Sequence, residues 1–165
     1  MTHIIAPAKL TLSLKVTGVR ADGFHLIDAE MVSLELHDVL TITDGDSGMS
    51  VSGPFASGVP TDDNNLVARA LQLCGKTAHI HIEKNIPHGG GLGGGSSDAA
   101  AVLRWTSYSD LIAASRLGAD IPFCMHGGRA RVTGIGELLE PLTFVAREIT
   151  LVVPPFGVST PAVYK

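Results

Sequence analysis

The run Pro87-His88-Gly89-Gly90-Gly91-Leu92-Gly93-Gly94-Gly95-Ser96-Ser97-Asp98 leads straight into Ala99-Ala100-Ala101-Val102-Leu103-Arg104. Six of the seven residues at 89–95 are glycine, so the backbone there is free to take conformations closed to other residues and to approach a ligand closely. Ser96, Ser97 and Asp98 supply capping groups just before an alanine-rich helix. A glycine loop that opens a helix gathers unpaired N–H groups at the positive end of the helix dipole, chemistry suited to phosphate. Two charged residues stand out elsewhere. Lys9 interrupts a strand-like alternation with leucines, where its plain reading is a solvated face. Asp120 lies between Ala119 and Ile121-Pro122-Phe123, an acid among apolar neighbours whose plain reading is a helix cap.

The elements that must position these groups are legible in outline. Residues 2–17 alternate Leu10, Leu12, Leu14 and Val16 with Lys9, Thr11, Ser13 and Lys15, which predicts a strand with a break or edge at Pro7. Arg20-Ala21-Asp22-Gly23 predicts a turn, and residues 25–43 a second strand broken near His37-Asp38. Residues 43–60, rich in Gly, Ser, Asp and Pro, predict hairpins and loops. Asp62-Asp63-Asn64 are placed to cap a helix running to about Leu73. His79-Ile80-His81-Ile82-Glu83 alternates as a half-exposed strand feeding the glycine loop. A helix then runs to about Trp105 and a short one from Asp110 to Leu117, with strands at 129–133 and 148–153. This order lacks regular β-α-β alternation, which points to an α+β fold.

The composition sets bounds. The chain has 165 residues, 45% hydrophobic and 17% charged, enough apolar material for a core and too little charge for a disordered chain. A net charge of −4 argues against a nucleic-acid partner. Cys74 and Cys124 have no metal or redox spacing and read as buried free thiols. Met1-Thr2-His3-Ile4-Ile5 lacks the features of a signal peptide, and no run has the apolar length of a membrane span, so the chain reads as cytoplasmic with no membrane partner. Val158-Ser159-Thr160-Pro161-Ala162 announces a helix with only a handful of residues left to form it. We read that as the start of a second domain, with a first domain at 1–145 and the opening of the second at 146–165.

Three phosphate-binding designs fit a glycine loop. A loop ending in Gly-Lys-Ser/Thr is excluded, because no lysine precedes Ser96. A dinucleotide fingerprint is matched formally by Gly89, Gly91 and Gly94, but it follows a buried parallel strand directly. Here the strand alternates with His and Glu, and Asn85-Ile86-Pro87 intervene. The third form, Pro-x-Gly-x-Gly-Leu-Gly before Ser-Ser, resembles the central motif of the GHMP small-molecule kinases, which include galactokinase, homoserine kinase and mevalonate kinase. A purely structural glycine turn is the remaining alternative.

Further segments resemble one branch of that superfamily, the 4-diphosphocytidyl-2-C-methyl-D-erythritol kinases of non-mevalonate isoprenoid synthesis. They are Pro7-Ala8-Lys9-Leu10-Thr11-Leu12, Arg20-Ala21-Asp22-Gly23-Phe24-His25, Asn65-Leu66-Val67, Leu117-Gly118-Ala119-Asp120-Ile121-Pro122-Phe123 and Pro154-Pro155-Phe156-Gly157-Val158-Ser159-Thr160. The resemblance implies an α+β GHMP N-terminal domain (ribosomal protein S5 domain 2-like), followed by the start of a ferredoxin-like C-terminal domain. It implies transfer of the ATP γ-phosphoryl group, with Mg2+, to the 2-hydroxyl of the cytidyl substrate. Lys9 and Asp120 are then catalytic, the lysine polarising the acceptor hydroxyl and the acid acting as general base. Residues 87–97, with Asn65 and Lys84, face ATP, and Ser97 is the candidate for phosphate or magnesium. Thr11, Phe24, His25, Thr160 and Tyr164 face the substrate, with cytosine stacked on the aromatic rings and read by His25. Thr11 departs from the family's Asn, and the stretch 105–115 is shorter than usual. Two other readings stay open: a homoserine- or mevalonate-type kinase, and a non-catalytic RNA-binding module. A chain without the second domain is expected to lack part of the cleft.

Overall fold

The computed structural model describes residues 1–152. Its elements are β1 (Thr2–Val19), β2 (His25–Asp44), β3 (Gly48–Ser52), α1 (Leu66–Cys74), β4 (Ala78–Glu83), α2 (Gly94–Trp105), α3 (Leu111–Leu117), α4 (Ile121–His126), β5 (Arg129–Gly134) and β6 (Leu138–Pro141). The long β1 and β2 pair antiparallel along most of their length. The other strands follow the order β3-β4-β2-β5-β6. β4 takes the C-terminal part of β2, from Val39 to Asp44, and β5 the N-terminal part, from Ile27 to Val32. The arrangement is the mixed α+β class expected.

The core forms where the helices cover this sheet. Leu40 and Ile42 of β2, Ile80 and Ile82 of β4, and Ala130 and Val132 of β5 meet Val67 and Ala70 of α1 and Ile121 and Phe123 of α4. Ala99, Ala100 and Ala101 of α2 are fully buried. Their small side chains let the helix that follows the glycine loop lie close to its neighbours. A second, smaller cluster of Ala8, Ile86 and Leu92 sits at the root of the loop.

Several local expectations change. β2 continues as a strand through His37-Asp38, but its register against β1 shifts beside them, where Leu34, Glu35 and Leu36 lie opposite Ala8, and again between Thr11 and Ser13 and between Val16 and Gly18. β3 is no hairpin partner of β2 but pairs parallel with β4. Asn65, rather than Asp62–Asn64, caps α1: its side chain accepts from Val67 N–H. Ser96, Ser97 and Asp98 lie inside α2, whose N-cap is Gly93 with no side-chain bond. The short β6 had no prior signal, being too short to show a period, and α4 was signalled only by the reading of Asp120 as a helix cap. Residues 148–152 form no strand where one was expected over 148–153, and residue 153 lies outside the described residues. Thr160 and Tyr164 lie outside the described residues.

Candidate active site

The glycine loop is held at its root and open at its tip. Leu92 is 4% exposed and packs with Ala8 and Ile86, and its carbonyl accepts from Lys9 N–H at 2.9 Å. Gly89, Gly91 and Gly93 all take positive φ, 68°, 70° and 66°. The residues at 89–91 are exposed, and a side chain at 91 would meet nothing. No side chain caps α2, so the N–H groups of its first turn remain directed at the loop. His88 is drawn aside, its ring bonded to the carbonyl of Ser57 at 3.0 Å. The result is an open groove with a helix N-terminus at its end, which suits an anion.

Lys9 enters this groove from β1. Its ammonium lies 3.0 Å from Asp120 Oδ2 and donates to Thr11 Oγ1 at 3.1 Å. The lysine side chain is 9% exposed, whereas that of Asp120 is 29% exposed and open to a reactant. Asp120 stands at the N-cap of α4 but makes no capping bond, so its carboxylate is not consumed by the helix. Gly93 explains the lysine's path. A Cβ there would lie 2.8 Å from Lys9 Cγ, so only glycine lets the stem pass beneath the loop. The structure therefore brings together Lys9, Asp120, Thr11 and Gly93. It moves Thr11 from a purely substrate-facing role to a partner of the lysine.

Ser97 is fully buried and its hydroxyl donates to the Pro7 carbonyl at 2.7 Å. That bond joins the loop helix to β1 and withdraws Ser97 from the phosphate or magnesium contact expected of it. Lys84 is corrected in the same way. It is 3% exposed and its ammonium is taken by Asp38 and Asp98, so it supports the loop from beneath instead of reaching a nucleotide. Asn65, 6% exposed, spends its side chain on Val67 N–H and the Pro60 carbonyl. Burial alone would lower the Lys84 pKa, but the two carboxylates outweigh it and hold it above the ordinary value. Burial also raises Asp98, to about 7, with Lys84 opposing that shift and Asp38 adding to it. Asp38 was missed in the sequence. The available signal was a lone acid between His37 and Val39-Leu40, inside a strand.

The Phe24 side of the site is separate from the loop. Gly23 turns at φ 88°, and Phe24 N–H bonds to Asp22 Oδ1 at 3.3 Å. The Phe24 ring, 49% exposed, lines a cleft of about 270 Å3 with Ile112, Arg116 and Ile135. His25 opens β2 at the next position, opposite Val19. The cleft adjoins the catalytic candidates through the β5–β6 turn: a Cβ at Gly136, beside Ile135, would press on the carbonyl of Ala119 at 2.2 Å. Another cleft, about 280 Å3 and lined by Ile4, Pro7, Arg104 and Phe123, contains none of the predicted site residues. Burial pushes the Cys124 thiol up to about 12, which makes it unreactive.

Comparisons with known proteins bear on this geometry. The profile of the GHMP kinases N terminal domain matches residues 65–128, the span that contains the loop and Asp120. A 4-diphosphocytidyl-2-C-methyl-D-erythritol kinase of Paracoccus denitrificans is 48% identical over 97% of this chain and 59% of its own length. One from Clostridium botulinum is 40% identical over 99% of this chain and 64% of its own. The chain thus spans about three fifths of the length of the curated relatives it matches. A crystal structure of 4-(cytidine 5'-diphospho)-2C-methyl-D-erythritol kinase superposes with TM-score 0.70 at 37% identity, covering 99% of this chain and 63% of that one. A mevalonate kinase from Methanococcus jannaschii, at TM-score 0.52 and 13% identity over 86% of this chain and 56% of its own, shares the fold alone.

Proposed function

Since the chain belongs to the GHMP kinases, where its curated relatives are 4-diphosphocytidyl-2-C-methyl-D-erythritol kinases, we propose that it forms the nucleotide-cradling part of such an enzyme. The reaction is transfer of the γ-phosphoryl group of ATP to the 2-hydroxyl of 4-diphosphocytidyl-2-C-methyl-D-erythritol. The observation that carries this reading is the 3.0 Å pair of Lys9 and Asp120 beside an uncapped, glycine-rich helix start.

Phosphoryl transfer needs alignment and charge stabilisation more than covalent help from the protein. The loop N–H groups supply donors for the phosphates of ATP. Asp120 takes the proton of the acceptor hydroxyl, the freed oxygen attacks the γ-phosphorus, and ADP leaves with the bridging electrons. Lys9 faces the negative charge that builds on the attacking and phosphoryl oxygens. Phe24 and His25 are the proposed cytosine contacts, with Thr160 and Tyr164 from the stretch outside the described residues. The side chain expected to hold magnesium does not fit it: the Ser97 hydroxyl is bonded to Pro7, and among the described residues no three His, Cys, Asp or Glu are arranged for a metal. Among the described residues no helix is long and apolar enough to cross a membrane, and a cytoplasmic location belongs to the same proposal.

The test is phosphorylation of the cytidyl substrate from labelled ATP, by this chain and by its fusion to the C-terminal part of the Paracoccus relative. Transfer to the cytidyl compound by the fusion is the expected result. Transfer to mevalonate or homoserine instead would reassign the substrate, and RNA binding without ATP binding would end the kinase reading.

A further inference from the structure

Beneath the loop the chain buries three charges that the proposed chemistry does not use. Asp38 comes from β2, Asp98 from the second turn of α2, and Lys84 from the exit of β4, with side chains 0%, 4% and 4% exposed. The Lys84 ammonium donates to Oδ2 of both acids, to Asp98 at 2.6 Å. Asp38 Oδ1 also accepts the N–H groups of Asn85 and Ile86, the latter at 2.9 Å. Asp38 therefore fixes the exit of β4 to β2 by several bonds. Asp98 alone extends that anchorage to α2.

The geometry above this contact is tight. A Cβ on Gly94, the first helical residue, would lie 3.1 Å from Ile86 Cγ2 and 3.4 Å from Lys84 Nζ. The first turn of α2 thus rests directly on Lys84 and Ile86. One further atom is unusual: Asp98 Oδ1 is buried with no hydrogen-bond partner, a state that costs free energy.

We infer that Asp98 is a positioning residue of the phosphate loop: through Lys84 it seats the first turn of α2 on the exit of β4, and so sets where the N–H groups of residues 94–96 point. The inference rests on the reading of that loop as a cradle for the phosphates of ATP. The charge count makes it testable. Removing Asp98 leaves Lys84 and Asp38 as a balanced pair, so an Asp98→Ala chain keeps a neutral floor and folds. Asp98→Asn keeps an oxygen for Lys84 and places an N–H donor where Oδ1 has no partner.

The experiment is ATP titration of the three folded chains, with amide hydrogen exchange measured on the same samples without nucleotide. Asp98→Ala is expected to weaken ATP binding about tenfold or more, the scale of a lost buried charged hydrogen bond. Exchange is expected to speed up at 94–98 and not in α1 or β5. Asp98→Asn is expected to restore both readouts to within about twofold, a rescue that tracks the bond rather than the charge. A merely structural acid would lower the melting temperature and leave the ATP affinity of the folded molecules unchanged. An alanine variant that matches wild type in affinity and exchange, or an asparagine variant as weak as alanine, overturns the inference. Failure of the wild-type chain to bind ATP would sink the cradle reading instead, and the exchange comparison would still decide whether Asp98 seats the turn.

Discussion

Two lysine–aspartate assemblies meet the glycine loop at adjacent residues, Lys9 at Gly93 and Lys84 at Gly94, and they are made of the same groups for opposite ends. Lys9 meets one carboxylate, Asp120, whose side chain is 29% exposed, and a hydroxyl from Thr11. Lys84 meets two carboxylates whose side chains are 4% exposed or less. Each ammonium has two partners, but the first assembly leaves its acid accessible, which is what a reacting hydroxyl requires. The second is buried on all three side chains and offers a ligand nothing. Exposure of the acid, rather than the presence of an ion pair, separates a reactive pair from an anchoring one.

That contrast can be broken in order of expected size. In the active fusion, Asp120→Asn should lower the phosphoryl-transfer rate by about 10²–10⁴-fold, the usual worth of a general base. Its melting temperature should stay within a few degrees of wild type; a large loss of stability would place Asp120 with the anchoring group. Lys84→Met should do the reverse, destabilising the fold by about 3–5 kcal/mol in denaturant titration, because two facing carboxylates are left buried without a cation. A Lys84→Met chain of normal stability would show that the floor carries no such burden.

The floor also has a pH signature. Burial raises Asp98 to about 7 in the fold from the ordinary carboxyl value of 3.8. The folded chain therefore holds a proton between about pH 4 and 7 that the unfolded chain has released. Its contribution to stability is greatest in acid and declines as pH rises through that window. Asp98→Asn cannot titrate, so its melting temperature relative to wild type should climb from pH 5 to pH 8. A constant difference would remove the shift. Smallest is Thr11→Val, which takes one hydrogen bond from Lys9 without touching Asp120. A loss of about 0.5–1.5 kcal/mol in transition-state stabilisation is expected from the ratio of kcat/KM values.

The proposed reactive assembly was legible only through the resemblance of its motifs, and the anchoring one was not legible at all. Lys9, Asp120 and the loop each stand in a contiguous motif, so their chemistry is visible one segment at a time. Asp38, Lys84 and Asp98 have meaning only together, and β2, β4 and α2 must fold before they meet. Asp98 was misread as a cap because a polar residue ahead of alanines matches that pattern, although Gly93 begins the helix. The parallel pairing of β3 with β4 escaped for a similar reason. A turn-rich stretch after a strand suggests a hairpin, and nothing local tells it to skip to a later partner. The strand character of β1 and β2 was legible, but its burial was not: Leu12, Leu14 and Val16 are exposed while Lys9 is buried, and β2 continues where a break was expected at His37-Asp38.

Asp38 lies 46 residues upstream of Lys84 and 48 upstream of Ile86, whose N–H it accepts. On a ribosome adding about 5–20 residues per second, its carboxylate waits on the order of 2–10 s for those partners to be made. During that interval β2 carries a hydrated charge at a position destined for the interior, which discourages its early burial against the wrong strand. The residue that holds the floor of the groove in the finished protein therefore also delays premature closure while the chain is being made.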